Sequence, residues 1–215
     1  MRIAIYDLDN TLTRRATFTP FLIFAAWRIA PWRLALLPVW VAMMIGYRAG
    51  LYDRTTLKTG GMKLMVGKVG IATLQEVGRD FADRRVADDG LMPATLALLE
   101  EDRRQGARIA IATAAFEFYA AAFAKHLDID TVIGTRWDGR SIVGGNCYGE
   151  TKLARVRAWA AEQNHQLEDA EFRFVSDSFA DAPLLDLAYE PIFISASSRK
   201  REKAKARGWR IISAD

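Results

Sequence analysis

Cysteine is nearly absent from this 215-residue chain: Cys147 is the only one, which excludes an internal disulfide framework. Two histidines beside that single thiol leave no zinc constellation of the usual kind. Both shortages fit a reducing compartment, and we expect a cytoplasmic protein. Nothing at the N-terminus resembles a secretory leader. Strand-like residues begin at Arg2 and the apolar run there is short, so the mature chain is expected to start at Met1. No apolar run reaches the ~20 residues a membrane-spanning helix needs. The longest, Leu34 to Tyr47, stops at 14 between Arg33 and Arg48, and a buried or interfacial helix pair is expected there. Internal repeats, low-complexity tracts and linkers are lacking, so the chain should fold as one unit carrying an insertion.

What is present suffices for a sizeable core, since 51% of residues are hydrophobic. Charge is unevenly spread. Residues 14 to 69 hold nine bases (Arg14, Arg15, Arg28, Arg33, Arg48, Arg54, Lys58, Lys63, Lys68) against one acid, Asp53. That segment is +8 in a chain of +4, which leaves the remainder at −4. A basic segment on a mildly acidic domain predicts an anionic partner: a phosphorylated substrate, a membrane surface or nucleic acid. Nucleic acid fits least, because the bases alternate with long apolar runs instead of forming a polar stripe.

The pattern splits the chain in the same way. After a short strand, Ile3 to Tyr6, everything from about residue 18 to 90 reads as helix. Thr19-Pro20 looks like an N-cap and first helical residue, and Gly60-Gly61 like a break. Leu74, Val77, Phe81 and Ala82 fall at helical spacing. From Leu91 helix and strand alternate, the signature of a layered α/β domain: strands at Arg108–Ala112, Thr131–Ile133, Phe172–Val175, Ile192–Ile194 and Trp209–Ile212, with helices between. A Gly-rich hairpin through Gly139, Gly144 and Gly145 follows the second of these.

Four polar groups fall at the ends of predicted strands or at the start of the helix after the hairpin. Asp7-Leu8-Asp9-Asn10-Thr11 closes the first strand, Thr113-Ala114-Ala115 the second, and Ser176-Asp177-Ser178-Phe179-Ala180-Asp181 a later one; Lys152 opens the helix after the hairpin. Open α/β sheets carry their chemistry there. Singly, each has an ordinary structural reading. Asp-Asn closes turns, Thr caps helices, lysine sits on solvated surface, and acids at a helix start favour its dipole.

Taken together and in this order, the four resemble the haloacid dehalogenase superfamily of phosphohydrolases. The likeness covers the chain outside the helical insertion. It implies a Rossmann-like, doubly wound, mostly parallel sheet (1–13 and 91–215) with an all-helical cap inserted at 14–90. A cap in that interval, with only about 38 residues between Thr113 and Lys152, is similar to the phosphoserine phosphatase-like branch. The resemblance makes Asp7 a nucleophile that forms an aspartyl-phosphate and Asp9 the general acid and base. Leu8, Asp9, Thr113, Ala114 and Lys152 would hold the phosphate, Lys152 also offsetting the charge of Asp7. Mg²⁺ would bind the Asp7 and Asp177 carboxylates and the Asp9 carbonyl, with Asp181 supporting. Asn10 stands where many members have glycine, and asparagine also tolerates turn geometry.

Chemistry requires these types. Phosphoryl transfer depends on in-line positioning and on neutralising charge that spreads over the phosphoryl oxygens. A carboxylate attacks a phosphate only if a cation offsets their repulsion. Phosphoserine phosphatases carry a glutamate shortly after the first motif, to hold the substrate amine. Arg14-Arg15-Ala16-Thr17 stands there instead, which argues against an amino-acid substrate. Phe18, Phe21, Phe24, Trp27, Trp32 and Trp40 among arginines form an interfacial composition, or equally the cap's own core. The cap loosely resembles that of bacterial phosphatidylglycerophosphatases. The expectation is a phosphatase for a lipid phosphate, docked peripherally on the cytoplasmic face of an anionic membrane; the alternatives are a soluble metabolite phosphatase and a non-catalytic phospho-ligand binder.

Overall fold

The structure, a computed structural model, describes residues 2–88 and 90–214, with the side chain of Asp169 left aside. The chain opens with β1 (Arg2–Tyr6) and then runs through α1 (Phe18–Ile29), α2 (Leu37–Arg48), α3 (Arg54–Gly61) and α4 (Ile71–Ala87) before α5 (Pro93–Arg104). It continues as β2 (Arg108–Phe116), α6 (Glu117–His126), β3 (Thr131–Trp137), β4 (Ile142–Val143), α7 (Glu150–Glu162) and β5 (Glu171–Ser176). The last elements are α8 (Ala182–Leu187), β6 (Glu190–Ile194), α9 (Ser198–Lys205) and β7 (Arg210–Ile212).

β1 is the centre of the sheet because it is apolar on both faces. Ile3 and Ile5 enter one apolar cluster and Ala4 and Tyr6 the other, as the two-residue period of a strand dictates. It pairs in parallel with β2 on one side and β5 on the other. The full order is β4-β3-β2-β1-β5-β6-β7, parallel except for β4, which closes the hairpin against Arg136 and Trp137. This is the layered α/β domain with helical insertion that the pattern predicts, and the doubly wound sheet that the resemblance implies. Strands added to both sides of β1 leave a crevice at its C-terminal end, where such sheets bind ligands. Tyr6 anchors that end: its hydroxyl donates to buried Asp102 Oδ2 at 2.5 Å, and Arg173 pairs with the same carboxylate at 2.9 Å.

The helical insert leaves and rejoins the sheet at one place. Thr13 bridges Leu91, the Arg14 N–H donates to the Gly90 carbonyl (2.8 Å), and the Met92 N–H donates to that of Leu12 (2.9 Å). Its apolar face merges with the core below. Phe21 stacks on Tyr119 of α6 at 4.8 Å, and Phe18 meets both Trp40 and Phe116 edge-on at 5.8 Å. Gly78 lets α4 approach α6 closely, since a β-carbon there would lie 2.9 Å from Tyr119.

Three sequence expectations need correction. The first insert helix starts at Phe18, not at the Thr19-Pro20 pair, and the Thr17 hydroxyl before it is engaged elsewhere. Gly60-Gly61 does not break a helix: the helical path runs on to Val66 and ends at Gly67 (φ 82°). The pair serves packing, because a β-carbon on Gly61 would fall 2.7 Å from Trp40 and 2.9 Å from Leu22. β2 runs on to Phe116, with an irregularity between Ala112 and Phe116, so Thr113 sits inside its distorted end.

The aromatic residues of the insert divide. Phe21 and Trp40 are core, whereas Trp27 is 50% and Trp32 66% exposed, joined on the surface by Val39, Val41, Ile45 and Leu51. Among the described residues no helix is long and apolar enough to cross a membrane.

Candidate active site

Asp7 follows β1 directly, its N–H donating to the Val175 carbonyl of β5 at 2.9 Å. The chain then turns sharply through Leu8–Leu12. Thr13 closes the turn on the Leu8 carbonyl with its N–H (2.9 Å) and its hydroxyl (3.0 Å). The turn needs a left-handed residue, and Asn10 supplies it at φ 54°. Asp9 is thereby swung under the insert. One of its oxygens, Oδ1, accepts from both the Thr17 N–H (2.8 Å) and the Thr17 hydroxyl (2.6 Å).

The remaining groups converge from β5 and α7. Lys152 is fully buried, and its ammonium donates to Asp181 Oδ2 at 2.7 Å and lies 3.3 Å from Asp7 Oδ1. The Ser176 hydroxyl donates to the same Asp181 oxygen at 2.7 Å. Asp177 is half-buried, with the Lys200 ammonium 3.8 Å from its carboxylate and 3.4 Å from its carbonyl.

A cavity of about 410 Å³ opens over these groups. Of the residues expected from sequence, Asp7, Asp9, Ala114, Lys152, Asp177 and Asp181 line it. Leu8 and Thr113 are buried behind its wall. The Leu8 N–H is turned onto Asp7 Oδ1 (2.8 Å), and the Thr113 hydroxyl accepts from the Ala115 N–H (3.0 Å). Asn10 and Ser178 to Ala180 reach the wall with the two acidic motifs, whereas Ala16, Arg54, Tyr148 and Lys200 carry no signal in the sequence that places them there. Arg54 stacks on Tyr148, its guanidinium carbon 4.4 Å from the ring centroid.

Burial sets the electrostatics. It is the main cause that raises Asp7 to about 7; Lys152 opposes the rise, while Asp181, Asp177 and Asp9 add to it. Asp177 is raised to about 6, again first by burial, with Lys200 opposing and Asp181 and Asp9 adding. Burial alone would lower Lys152, but the Asp181 and Asp7 carboxylates outweigh it and hold the lysine above its usual range. Four aspartates against Lys152, Lys200 and Arg54 leave one negative charge in excess on the cavity wall. Asp181 Oδ1 is buried without a hydrogen-bond partner. A divalent cation would relieve both.

Among the described residues no three His, Cys, Asp or Glu side chains converge on a point. The set implied by resemblance is smaller, two carboxylates and a carbonyl. That suits a cation such as Mg²⁺, which takes one or two carboxylates and retains waters.

The family model for haloacid dehalogenase-like hydrolases matches residues 4–186. The chain belongs to that family. Protein CicA of Caulobacter vibrioides is 31% identical over 165 residues, 72% of this chain and 71% of CicA. A histidinol-phosphatase of Neisseria meningitidis is 26% identical over 148 residues, 65% of this chain and 66% of that protein. A solved structure of a protein with unknown function from Bordetella pertussis Tohama I superposes with a TM-score of 0.84 at 27% identity, covering 100% of this chain and 99% of that one. The helical insert of this dehalogenase-like hydrolase is thus shared along its whole length with that structure.

Proposed function

We propose that this hydrolase is a Mg²⁺-dependent phosphomonoesterase that works through an aspartyl-phosphate, with 1–13 and 91–215 as catalytic core and 14–90 as cap. One observation carries the reading: a buried lysine 3.3 Å from Asp7, on a cavity that Asp9 and Asp177 also line. An Asp7 oxygen attacks phosphorus as the bond to the leaving oxygen breaks, and Asp9 gives that oxygen a proton. Asp9 then takes a proton from the water that attacks the phosphorus of the aspartyl-phosphate, which frees phosphate and restores Asp7. Thr17 occupies Asp9 Oδ1 with two donors and leaves Oδ2 to carry the proton. Lys152 offsets the charge of Asp7 during attack, and we assign Thr113, Leu8 and Ala114 to the phosphoryl oxygens, of which Ala114 lines the cavity and the other two stand behind its wall. Asp7, Asp177 and the Asp9 carbonyl, with Asp181 supporting, would hold Mg²⁺, which would supply charge neutralisation for the phosphoryl group. Phosphate release from a phosphomonoester is expected to stop with a chelator and return with added Mg²⁺; undiminished release in the chelator overturns the metal assignment.

For the substrate we favour a lipid phosphate at an anionic membrane surface. The support is the exposed apolar set Trp27, Trp32, Val39, Val41, Ile45 and Leu51 in a segment that also carries Arg28, Arg33, Arg48 and Lys63. A second reading, a soluble phosphate ester, draws on the cavity wall, whose Arg54, Tyr148 and Lys200 are polar, and on the likeness to a histidinol-phosphatase. Flotation with anionic vesicles separates them. Binding together with turnover of a vesicle-borne phosphate is the expected result; no binding, with ready turnover of a soluble phosphomonoester, decides for the second.

A further inference from the structure

Among the described residues, Lys58 is the one buried cation in this region that the reaction above does not use. It lies on α3, in the insert, and is 3% exposed. Its ammonium crosses to the sheet domain and donates to the Ala114 carbonyl at 2.5 Å and to Asn146 Oδ1 at 2.9 Å. It also lies over the Phe116 ring, 4.2 Å from the centroid, with Phe18 at 5.5 Å. Among the described residues no carboxylate comes within 4 Å of it. A buried ammonium without an acid partner is costly, and a methionine would fill the same space at lower cost.

The groups it grips lead to the active site. The Thr135 hydroxyl, with one proton to give, lies within donating distance of the same two acceptors, Ala114 O at 2.8 Å and Asn146 Oδ1 at 2.9 Å, and accepts from the Cys147 N–H. The Ala114–Ala115 peptide is therefore held at both ends: its carbonyl by Lys58 and Thr135, its N–H by the Thr113 hydroxyl. Ala114 lines the cavity. Burial, and then the Arg54 guanidinium one turn earlier, push Lys58 down to about 7, while Asp9 pulls it up. An anion in the cavity would act in the same direction as Asp9.

We propose that Lys58 is a positioning residue: from the insert it fixes the Thr113–Ala115 segment for phosphate, and its unpaired charge favours a phosphate dianion in the cavity. This rests on the reading of that segment as the phosphate-holding one. A phosphorylated substrate thus meets a positive charge contributed by the cap, and the cap is tied to the loop it covers.

The test compares Lys58→Met, Lys58→Gln and Lys58→Arg. On p-nitrophenyl phosphate, kcat/KM is expected to fall about 10- to 100-fold in the two neutral variants, within the range for losing one stabilising group. Arginine is expected to recover part of it. Inorganic phosphate should inhibit the neutral variants more weakly, and their melting temperature should match or exceed that of the wild type. Unchanged kcat, KM and phosphate inhibition in either folded neutral variant overturns the proposal. If the wild type hydrolyses no phosphomonoester, thermal stabilisation by phosphate replaces turnover as the readout. Loss of that stabilisation in Lys58→Gln then upholds the Lys58 role while the phosphatase reading fails, and absence of any phosphate effect in the wild type ends both.

Discussion

Asp7→Asn is expected to abolish phosphate release, with kcat down by about four orders of magnitude or more, the scale for removing a covalent nucleophile. The replacement keeps the shape of the site. Asn Oδ1 can still accept the Leu8 N–H at 2.8 Å, and the backbone bond to Val175 is untouched. The attacking carboxylate oxygen is lost, and with it the negative charge 3.3 Å from the Lys152 ammonium. Acid-quenched wild type mixed with substrate should carry phosphate on the peptide that contains Asp7, and the variant none. Activity retained within tenfold would remove Asp7 from the mechanism.

The same substitution has an opposite effect on stability. Burial raises the folded Asp7 to about 7 from its ordinary 3.8. Between those values the folded protein keeps a proton that the unfolded chain has released. The contribution to stability is therefore full below 3.8 and lost as pH rises through 7. Above that, a buried carboxylate charge weighs against the folded state. Asparagine carries none, so in chelator the variant should melt above the wild type at pH 8, with the gap closing at pH 5.

The parts of the fold that depend on neighbours in sequence were legible before any coordinates. Ile3-Ala4-Ile5-Tyr6 reads as a strand buried on both faces because its period and its composition agree, and the acids after it fall where such a sheet binds ligands. What escaped depends on distance in sequence. Thr17 matters because the turn at Asn10 folds Asp9 back to it, and nothing in the local pattern marks that return. Lys58 and Asn146 are 88 residues apart and meet only because α3 packs over the hairpin. Gly60-Gly61 misled for the same reason: their role is set by Trp40 and Leu22 across the insert, not by the chain's own propensity. The apolar aromatics could not be sorted by pattern either, since Trp40 is buried while Val39 and Val41 on either side of it are exposed.

Lys152→Met is expected to lose both activity and stability. Its ammonium is the only cation within 4 Å of Asp7 among the described residues, and Asp181 takes its shorter bond. Removing it leaves two buried carboxylates without their counter-charge, a loss of about 3–5 kcal/mol for a broken buried pair. The lysine is held above its usual range, so its contribution is present throughout neutral pH and is lost only as pH rises through that raised value. The deficit of the variant should therefore be large at pH 8, and smaller at pH 5, below the raised value of Asp7, where that acid keeps its proton. Denaturant unfolding at the two pH values measures it. A variant as stable as the wild type at pH 8 would mean that the Lys152 charge is not what holds these two carboxylates in the fold. The two buried lysines then give opposite signs for one chemical change: methionine at 152 removes a cation that two acids require, while methionine at 58 removes one that no acid within 4 Å requires. The stability of the fold rests on the first, and only the phosphate to be bound calls for the second.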